Sequence, residues 1–304
     1  MERLNITVML GGPGDEREVS LRSGAAVARA LESLGHKVSL LDPRHPDWML
    51  PPEVDAVFLA LHGAYGEDGT VQQQLDILGV PYTGCGAEAS RTGFDKTLSK
   101  RAFLAADVPT PRFTVISSAA APWPEGWEPP VVLKPACQGS SVGLQFVERV
   151  EQWPAALAES RRHGAEILVE EKICGRETTV GILAGEPLPV VEIRPRSGVY
   201  DYRSKYTGGA SEYFCPADFD AAVTARIQAA GLAAFRAVGG RDYARVDVMV
   251  RPDGQPLVLE VNSLPGMTET SLLPKAAAAV GLDFAGLCQR MVELALARAA
   301  AATH

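Results

Sequence analysis

The stretch from Tyr243 to Asn262 constrains this chain more than any other. It reads as two strands, Tyr243 to Val250 and Pro256 to Asn262, with Asp253-Gly254 between them as a hairpin signal. Side chains alternate faces along a strand, so Arg245 and Asp247 share one face, and Glu260 and Asn262 share one. A two-residue turn at Asp253-Gly254 sets Asp247 opposite Glu260 and Arg245 opposite Asn262. Val246, Val248, Val250, Leu257, Leu259 and Val261 take the alternate positions and predict a core face. Like charges about 5 Å apart across a ladder destabilise it unless a cation lies between them. Two carboxylates and an amide are hard oxygen ligands, a set that suits magnesium better than zinc. Two alternatives stay open from these residues alone. Pro252 and Pro256 allow a bulge, and a one-residue slip puts the carboxylates on opposite faces; a solvated hairpin with a charged outer face needs no metal.

The chain has 304 residues, enough for two or three domains with full cores. Its apolar fraction of 46% and charged fraction of 22% are those of a soluble globular protein. A net charge of -8 argues against broad nucleic-acid or anionic-membrane binding, so an anionic ligand must be met by a few placed cations. The N-terminal apolar stretch, ended by Gly11-Gly12-Pro13, is too short for a secretory signal, and no apolar run approaches the ~20 residues that span a bilayer. Cys85, Cys137, Cys174, Cys215 and Cys288 are odd in number and lack CxxC spacing, which predicts reduced thiols in a cytoplasmic protein.

Strands at Leu4 to Leu10, Lys37 to Leu41 and Val54 to Leu61 alternate with helices at Val19 to Leu34 and Val71 to Leu78. That alternation predicts a doubly wound parallel sheet, whose ligands bind beyond the carboxyl ends of the strands. Two loops leave those ends, Gly11 to Ser20 and His62 to Gly69. Phe94-Asp-Lys96 opens a helix to about Ala106, and Pro109 and Pro111 mark a linker. Ala119 to Pro130 reads as a second linker. Strands at Val131 to Lys134, Gly143 to Val147 and Ile167 to Glu171, around a helix from Glu151 to Arg162, predict a small α+β unit. Then come strands at Thr178 to Leu183 and Val190 to Arg194, a polar excursion, a helix over Ala221 to Val238, the hairpin and two closing helices. The expected division is 1–93, 94–183 and 184–304, with a mobile loop at 195–216 whose tyrosines suggest a lid.

Lys134 and the run Gly139-Ser140-Ser141-Val-Gly143 offer a cation, unhindered N–H groups and two hydroxyls, which is equipment for cradling phosphate. The lysine precedes the glycines, so this is not a Walker loop, and Gly12-Pro-Gly14 lacks the third glycine of a dinucleotide fingerprint. Val169 to Ile173, followed by Gly175-Arg-Glu177, reads as a strand passing between domains or as a surface charge run. His62 fits a core edge as well as a ligand. No Ser-His-Asp or Cys-His arrangement is legible, which disfavours hydrolysis through a covalent enzyme intermediate.

Glu16-Arg-Glu-Val-Ser20, Leu61-His-Gly63 with Gly66-Glu-Asp-Gly69, and Pro81-Tyr-Thr-Gly84 stand in the N-terminal part. Lys134-Pro with Gly139 to Gly143, Tyr200-Asp-Tyr202 with Lys205-Tyr206, and Phe214-Cys-Pro216 follow. Arg245-Val-Asp247, Glu260-Val-Asn262, Pro265-Gly-Met-Thr268 and Ser271-Leu-Leu-Pro274 complete an order that resembles the D-alanine:D-alanine ligases of the ATP-grasp superfamily. The resemblance runs from about residue 4 to residue 295. It implies an ATP-grasp fold of mixed α/β and α+β character behind a doubly wound N-terminal domain.

It also implies a cytoplasmic ligase, commonly a homodimer, that joins two D-alanine molecules through an acyl phosphate for peptidoglycan synthesis. Its cofactors would be ATP and magnesium, two ions, with manganese a tolerated replacement. Asp247, Glu260 and Asn262 would hold the metal, and Lys96, Lys134 and Lys205 would meet phosphates beside Ser140 and Ser141. Glu171 and Ile173 would offer backbone groups to adenine, Glu170 would lie beside the base, and Glu177 would take the ribose hydroxyls. Glu16 would hold the first ammonium with His62 nearby, and Arg245 with the Gly266 N–H would stabilise the oxyanion. Ser271 and the Leu272 N–H would take the second carboxylate, and Ser140, Tyr206 and Glu16 would form a set closing the lid. Thr270 departs from relatives with histidine there, and Glu171 from relatives with lysine. The rival readings are another ATP-grasp ligase, either one that joins different amino acids or a D-alanine:D-lactate ligase, which tends to lack tyrosine at 206, and a nucleotide-binding regulatory protein without turnover.

Overall fold

The computed structural model describes residues 3–14, 16–45, 47–195 and 211–302. Three sheets organise it. The first is parallel, in the order β2-β1-β3, from β1 (Asn5–Met9), β2 (Lys37–Leu41) and β3 (Ala56–Leu59). Its central strand runs from Ile6 to Met9 without an exposed residue, as a strand covered on both faces must. Helix α1 (Arg17–Ser33) buries Ser20, Ser23, Gly24, Val27, Ala28 and Leu31, a stripe at three- and four-residue spacing. Helix α2 (Thr70–Leu78) follows, as expected.

Helix α3 (Ala87–Phe94) abuts α4 (Lys96–Ala105), and the Asp95 carboxylate between them caps α4 by accepting from Thr97 N at 2.8 Å and Leu98 N at 3.2 Å. Sequence reasoning missed α3, because Ser90, Thr92 and Gly93 in so short a segment give little helical propensity. The second sheet is antiparallel, in the order β4-β7-β5-β6, from β4 (Phe113–Ile116), β5 (Val131–Pro135), β6 (Gln145–Val147) and β7 (Ile167–Glu171). Helix α5 (Trp153–Ser160) covers it with Trp153 and Leu157. The linker expected around Pro109 and Pro111 runs straight into β4, an edge strand, which is the place a sheet tolerates flanking prolines.

The third sheet has the order β11-β10-β8-β12-β13. Its strands are β8 (Arg176–Leu183), β10 (Val191–Pro195), β11 (Ser211–Phe214), β12 (Tyr243–Val250) and β13 (Pro256–Asn262), with the short β9 (Glu186–Pro187) paired to β8. Strand β8 lies before residue 184 yet is bonded along its whole length to β12, so the sheet crosses the 183/184 line drawn from sequence. The excursion assigned to 195–216 ends differently too: Ser211–Phe214 pair antiparallel with β10, because main-chain groups beside an open strand edge gain partners there. Residues 196–210, with Lys205 and Tyr206, lie outside the described residues. Helix α6 (Ala221–Ala237) packs Ile227, Ala234 and Phe235 on the valine face of β12. After α7 (Leu272–Ala278), helix α8 (Phe284–Ala302) returns to the first sheet, its Leu287, Met291 and Val292 sharing a core with Val27 and Leu31 of α1.

The hairpin pairs Asp247 with Glu260 and Arg245 with Asn262, as the sequence predicts, but by another route. Val250 pairs with Pro256, and Arg251 N donates to Gln255 O at 2.9 Å, so the turn is longer than two residues and the pairing next to it is offset by one. A bulge at Leu259 then takes up one residue and restores the register at Glu260. The bulge also corrects the expected core face of β13: Val258 and Val261 join the core, while Leu259 turns to the other side.

Candidate active site

Two cavities open on the polar face of the hairpin. The first, about 580 Å³, is lined by Glu16, His62, Ser140, Arg245, Gly266, Ser271 and Leu272 among others. Glu16 stands at the start of α1, in the loop beyond β1, and accepts a hydrogen bond from Ser140 Oγ of the glycine-rich loop between β5 and β6. That loop is shaped for the contact. Ser140 and Ser141 both adopt left-handed backbone, with φ of 49° and 61°, a conformation costly for residues with a Cβ. Around the same carboxylate, a Cβ on Gly139 would stand 2.7 Å from Glu16 Oε2 and one on Gly63 at 2.8 Å. His62 Nε2 lies 3.2 Å from Ser23 Oγ, and its Nδ1 is 3.8 Å from Glu67. Ser23 Oγ also accepts from Met267 N at 3.3 Å, which ties α1 to the loop carrying Gly266.

Arg245 enters this cavity from β12. Its guanidinium donates to Asp247 Oδ1 and, at 3.1 Å, to Thr179 Oγ1 of β8. Ser271 Oγ accepts from Thr268 N at 3.1 Å and sits 2.8 Å from Thr268 Oγ1, while Thr270 approaches the Thr268 hydroxyl at 3.3 Å.

The second cavity, about 540 Å³, lies between the second and third sheets. Lys134, Glu170, Glu171, Ile173 and Glu177 line it, with Phe146, Met249 and Leu259 as its apolar surface. Glu170 is buried, and its two oxygens take two lysines: Oε1 meets Lys100, and Oε2 meets Lys134 at 2.5 Å. Burial opposes charge on all three groups, but the mutual attraction wins for Glu170, held below the ordinary carboxylate range, and for Lys134, held above the ordinary lysine value. For Lys100 burial wins, pushing its ammonium down to about 8. At the rim, Glu192 receives Arg176 at 2.6 Å and Arg194 at 2.8 Å. Burial alone would raise Glu192, and the two guanidiniums instead hold it at about 2.

The hairpin joins the two cavities. Along β12, Arg245 lines the first and Met249 the second; along β13, Asn262 lines the first and Leu259 the second. Asp247 and Glu260 lie between those positions and face each other. Four residues of strand span ~13 Å, room enough for a triphosphate laid along the hairpin. Lys96 Nζ, 3.6 Å from Glu260, donates to Gln138 O at 2.6 Å, which brings the glycine-rich loop to the same wall. Among the described residues no three His, Cys, Asp or Glu side chains gather as a metal cluster; the oxygen donors on this wall are the two carboxylates and the Asn262 amide. Asn262 Nδ2 donates to Asp247 Oδ2 at 3.2 Å and to Arg245 O at 3.3 Å, so the amide oxygen is the atom that would meet an ion. The donors are all oxygen, and the set fits magnesium.

Of the site residues named from sequence, Glu16, His62, Ser140, Arg245, Asn262, Gly266, Ser271 and Leu272 line the first cavity and Lys134, Glu170, Glu171, Ile173 and Glu177 the second, with Asp247, Glu260 and Lys96 on the wall between them; Ser141 lines neither. Sequence reasoning missed Thr179, Glu67, Ser23 and Lys100. Thr179 was findable as an alternate position on β8; Lys100, one turn after Lys96, sits on the buried face of α4 with Ser99 and Phe103.

A parallel N-terminal sheet followed by two antiparallel sheets around a lysine-lined cavity is the ATP-grasp architecture, and solved ATP-grasp ligases superpose on it. A crystal structure of D-alanine--D-alanine ligase from Bacillus anthracis complexed with ATP matches with a TM-score of 0.84 at 30% identity, covering 98% of this chain and 99% of that one. A second structure of the Bacillus anthracis ligase reaches 0.87 at 32% identity with the same coverage. Family models described as D-ala D-ala ligase C-terminus and N-terminus match residues 110–293 and 44–85. The D-alanine--D-alanine ligase of Methylacidiphilum infernorum is 44% identical over 97% of this chain and 96% of its own length. That of Aquifex aeolicus is 44% identical over 92% and 97%. The chain belongs to the D-alanine:D-alanine ligase family.

Proposed function

We propose that the protein is an ATP-dependent ligase that joins two D-alanine molecules into D-alanyl-D-alanine, with ADP and phosphate as the other products. The observation that carries this reading is the continuity of the hairpin between the cavities, which lets one γ-phosphate reach a carboxylate held in the first while its adenosine rests in the second. A carboxylate at neutral pH is a poor electrophile, and conversion to an acyl phosphate supplies the missing reactivity. The carboxylate oxygen of the first D-alanine attacks the γ-phosphate and ADP leaves. The amine of the second D-alanine, having lost a proton, then attacks the acyl carbon, and phosphate departs from the tetrahedral intermediate.

Phosphoryl transfer of this kind depends on positioning and charge neutralisation. In this reading Glu16 binds the first ammonium, with His62 at its side. Arg245 and the Gly266 N–H meet the oxyanion; such donors are worth ~3 kcal/mol each in comparable sites. Ser271 and the Leu272 N–H take the second carboxylate. Lys96, Lys134, Ser140 and Ser141 meet phosphate oxygens, joined by Lys205. Glu171 and Ile173 present backbone groups to adenine, and Glu177 takes the ribose. Asp247, Glu260 and Asn262 hold magnesium, which when bound would neutralise phosphate charge; manganese and a second ion belong to the same reading. Glu170 lies beside the base, its carboxylate paired with Lys134. Tyr206 completes the lid set with Ser140 and Glu16.

The three sheets act as three units in this account, the second and third meeting at 172–175, because β8 is paired with β12. A role in peptidoglycan synthesis, a cytoplasmic location and a homodimer are part of the proposal. No helix among the described residues is long and apolar enough to cross a membrane.

The test supplies purified protein with ATP and magnesium, offers a panel of D- and L-amino acids and D-lactate, and measures ADP release and product mass. D-Alanyl-D-alanine as the dominant product supports the reading. A depsipeptide as dominant product replaces it with the D-lactate ligase, and ADP release with no acceptor-dependent product overturns it.

A further inference from the structure

Lys100 has no part in the reaction just described, yet it is a lysine with 0% of its surface exposed. Its ammonium touches three chain segments: Glu170 Oε1 on β7, Thr110 Oγ1 at 2.5 Å, and the Val258 carbonyl of β13 at 3.5 Å. Thr110 Oγ1 donates to that carbonyl at 2.7 Å, so toward Lys100 it is an acceptor. The remaining Glu170 oxygen takes Lys134, whose side chain lines the second cavity. One continuous chain thus runs from the backbone of β13, one residue before the bulge, through Lys100 and Glu170 to Lys134.

A buried ammonium is expensive to keep charged, and burial pushes this one down to about 8. Leucine or methionine would fill the same space on α4 without that cost. What an apolar residue cannot do is engage the inner oxygen of Glu170. Left with Lys134 as its one cation, the carboxylate would turn both oxygens to it and draw it back from the cavity.

We propose that Lys100 is a positioning residue for the nucleotide: by occupying Glu170 Oε1 it restricts Lys134 to a single carboxylate oxygen and keeps that ammonium presented to the phosphates. The inference rests on the ATP reading of the second cavity.

The test is a thermodynamic cycle of Lys100→Met and Glu170→Gln, alone and combined, with ATP binding measured by calorimetry and KM determined separately for ATP and D-alanine. Lys100→Met should weaken ATP binding about tenfold and raise the KM for ATP, leaving the KM for D-alanine unchanged. In the Glu170→Gln background the same replacement should shift ATP affinity less than about twofold, because the route through the carboxylate is gone. Wild-type ATP affinity in folded Lys100→Met overturns the proposal, as does an equal loss in both backgrounds. If Lys100→Met does not fold, the double variant decides, since it removes both buried charges: ATP affinity equal to that of Glu170→Gln supports the proposal, and weaker binding or failure to fold overturns it. Wild-type protein that binds no ATP overturns the nucleotide reading itself, and the positioning role with it.

Discussion

Ser140 and Glu16 are separated by 124 residues, and the Ser140 hydroxyl donates to the Glu16 carboxylate across the mouth of the first cavity. The contact links the start of α1 to the glycine-rich loop of the second sheet, so the loop proposed to cover phosphate is latched by the residue proposed to hold the donor ammonium.

That latch is crowded. Gly63 has φ of +73°, and a Cβ there would meet Glu16 Oε2 at 2.8 Å. Gly63→Ala should therefore displace the carboxylate and raise the KM for the first D-alanine about tenfold, with backbone strain costing on the order of 1 kcal/mol of stability. Ser140→Ala removes the hydrogen bond to Glu16 at a partly exposed position. It should lower kcat more than it lowers the thermal midpoint, the lost bond being worth about 1 kcal/mol. Steady-state kinetics beside thermal denaturation separates the two, and a wild-type KM in folded Gly63→Ala would remove Glu16 from the donor site.

Glu260→Gln keeps the shape of β13 while removing the charge opposite Asp247 and near Lys96. Folding should survive, because this replacement relieves a like-charge pair worth up to about 1 kcal/mol. ADP formation should collapse, most steeply at limiting magnesium. Near wild-type turnover in a magnesium titration would assign the ion elsewhere.

From the sequence alone Lys134 is a phosphate cation and nothing else. The structure adds its pairing with buried Glu170, and the expected outcome of Lys134→Ala changes accordingly. ATP affinity should fall, and stability should fall as well, by on the order of 1–3 kcal/mol, because a buried carboxylate loses one of two cations. Calorimetric titration with ATP and chemical denaturation read the two effects. A variant as stable as the wild type would show that Glu170 does not depend on Lys134.

Glu192 gives a pH signature. Its folded value, about 2, lies below the ordinary 4.5 because Arg176 and Arg194 outweigh its burial. A depressed carboxylate stabilises the fold fully above its unfolded value, and the contribution is lost as pH falls from about 4.5 toward about 2. The half-exposed arginines are screened by solvent, so the loss is about 2 kcal/mol or less. Denaturation of Glu192→Gln should be less stable at neutral pH and flatter through that window. An acid limb identical to wild type would exclude Glu192 as a source of acid sensitivity.

The strands and helices with strong periodicity were legible in the sequence: the valine alternation of β12, the stripe of α1, and the strand at Ile167–Glu171 all stand where they were expected. The facing of Asp247 and Glu260 was legible too, although two unseen departures cancel to produce it, a longer turn and the bulge at Leu259. Side-chain period alone cannot reveal a bulge, and so Leu259 was assigned to the core when it lines a cavity. Helix α3 and strand β4 escaped because short elements draw their stability from neighbours rather than from their own residues. The Lys100, Glu170 and Lys134 network was hidden for a related reason: its members are far apart in sequence, and only packing of α4 against β7 brings them together. The motifs of the first cavity were recoverable through their resemblance to a family, and their mutual contacts were not.

The central claim is that a D-alanine carboxylate is activated by the γ-phosphate of ATP. D-Alanine labelled with 18O in its carboxylate, supplied with ATP, magnesium and the enzyme, tests it directly by mass analysis of the released phosphate. One carboxylate oxygen becomes the bridge of the acyl phosphate and leaves with phosphorus, so the account predicts one 18O in each inorganic phosphate and equal amounts of phosphate, ADP and dipeptide. Unlabelled phosphate, or label appearing in AMP, would contradict it.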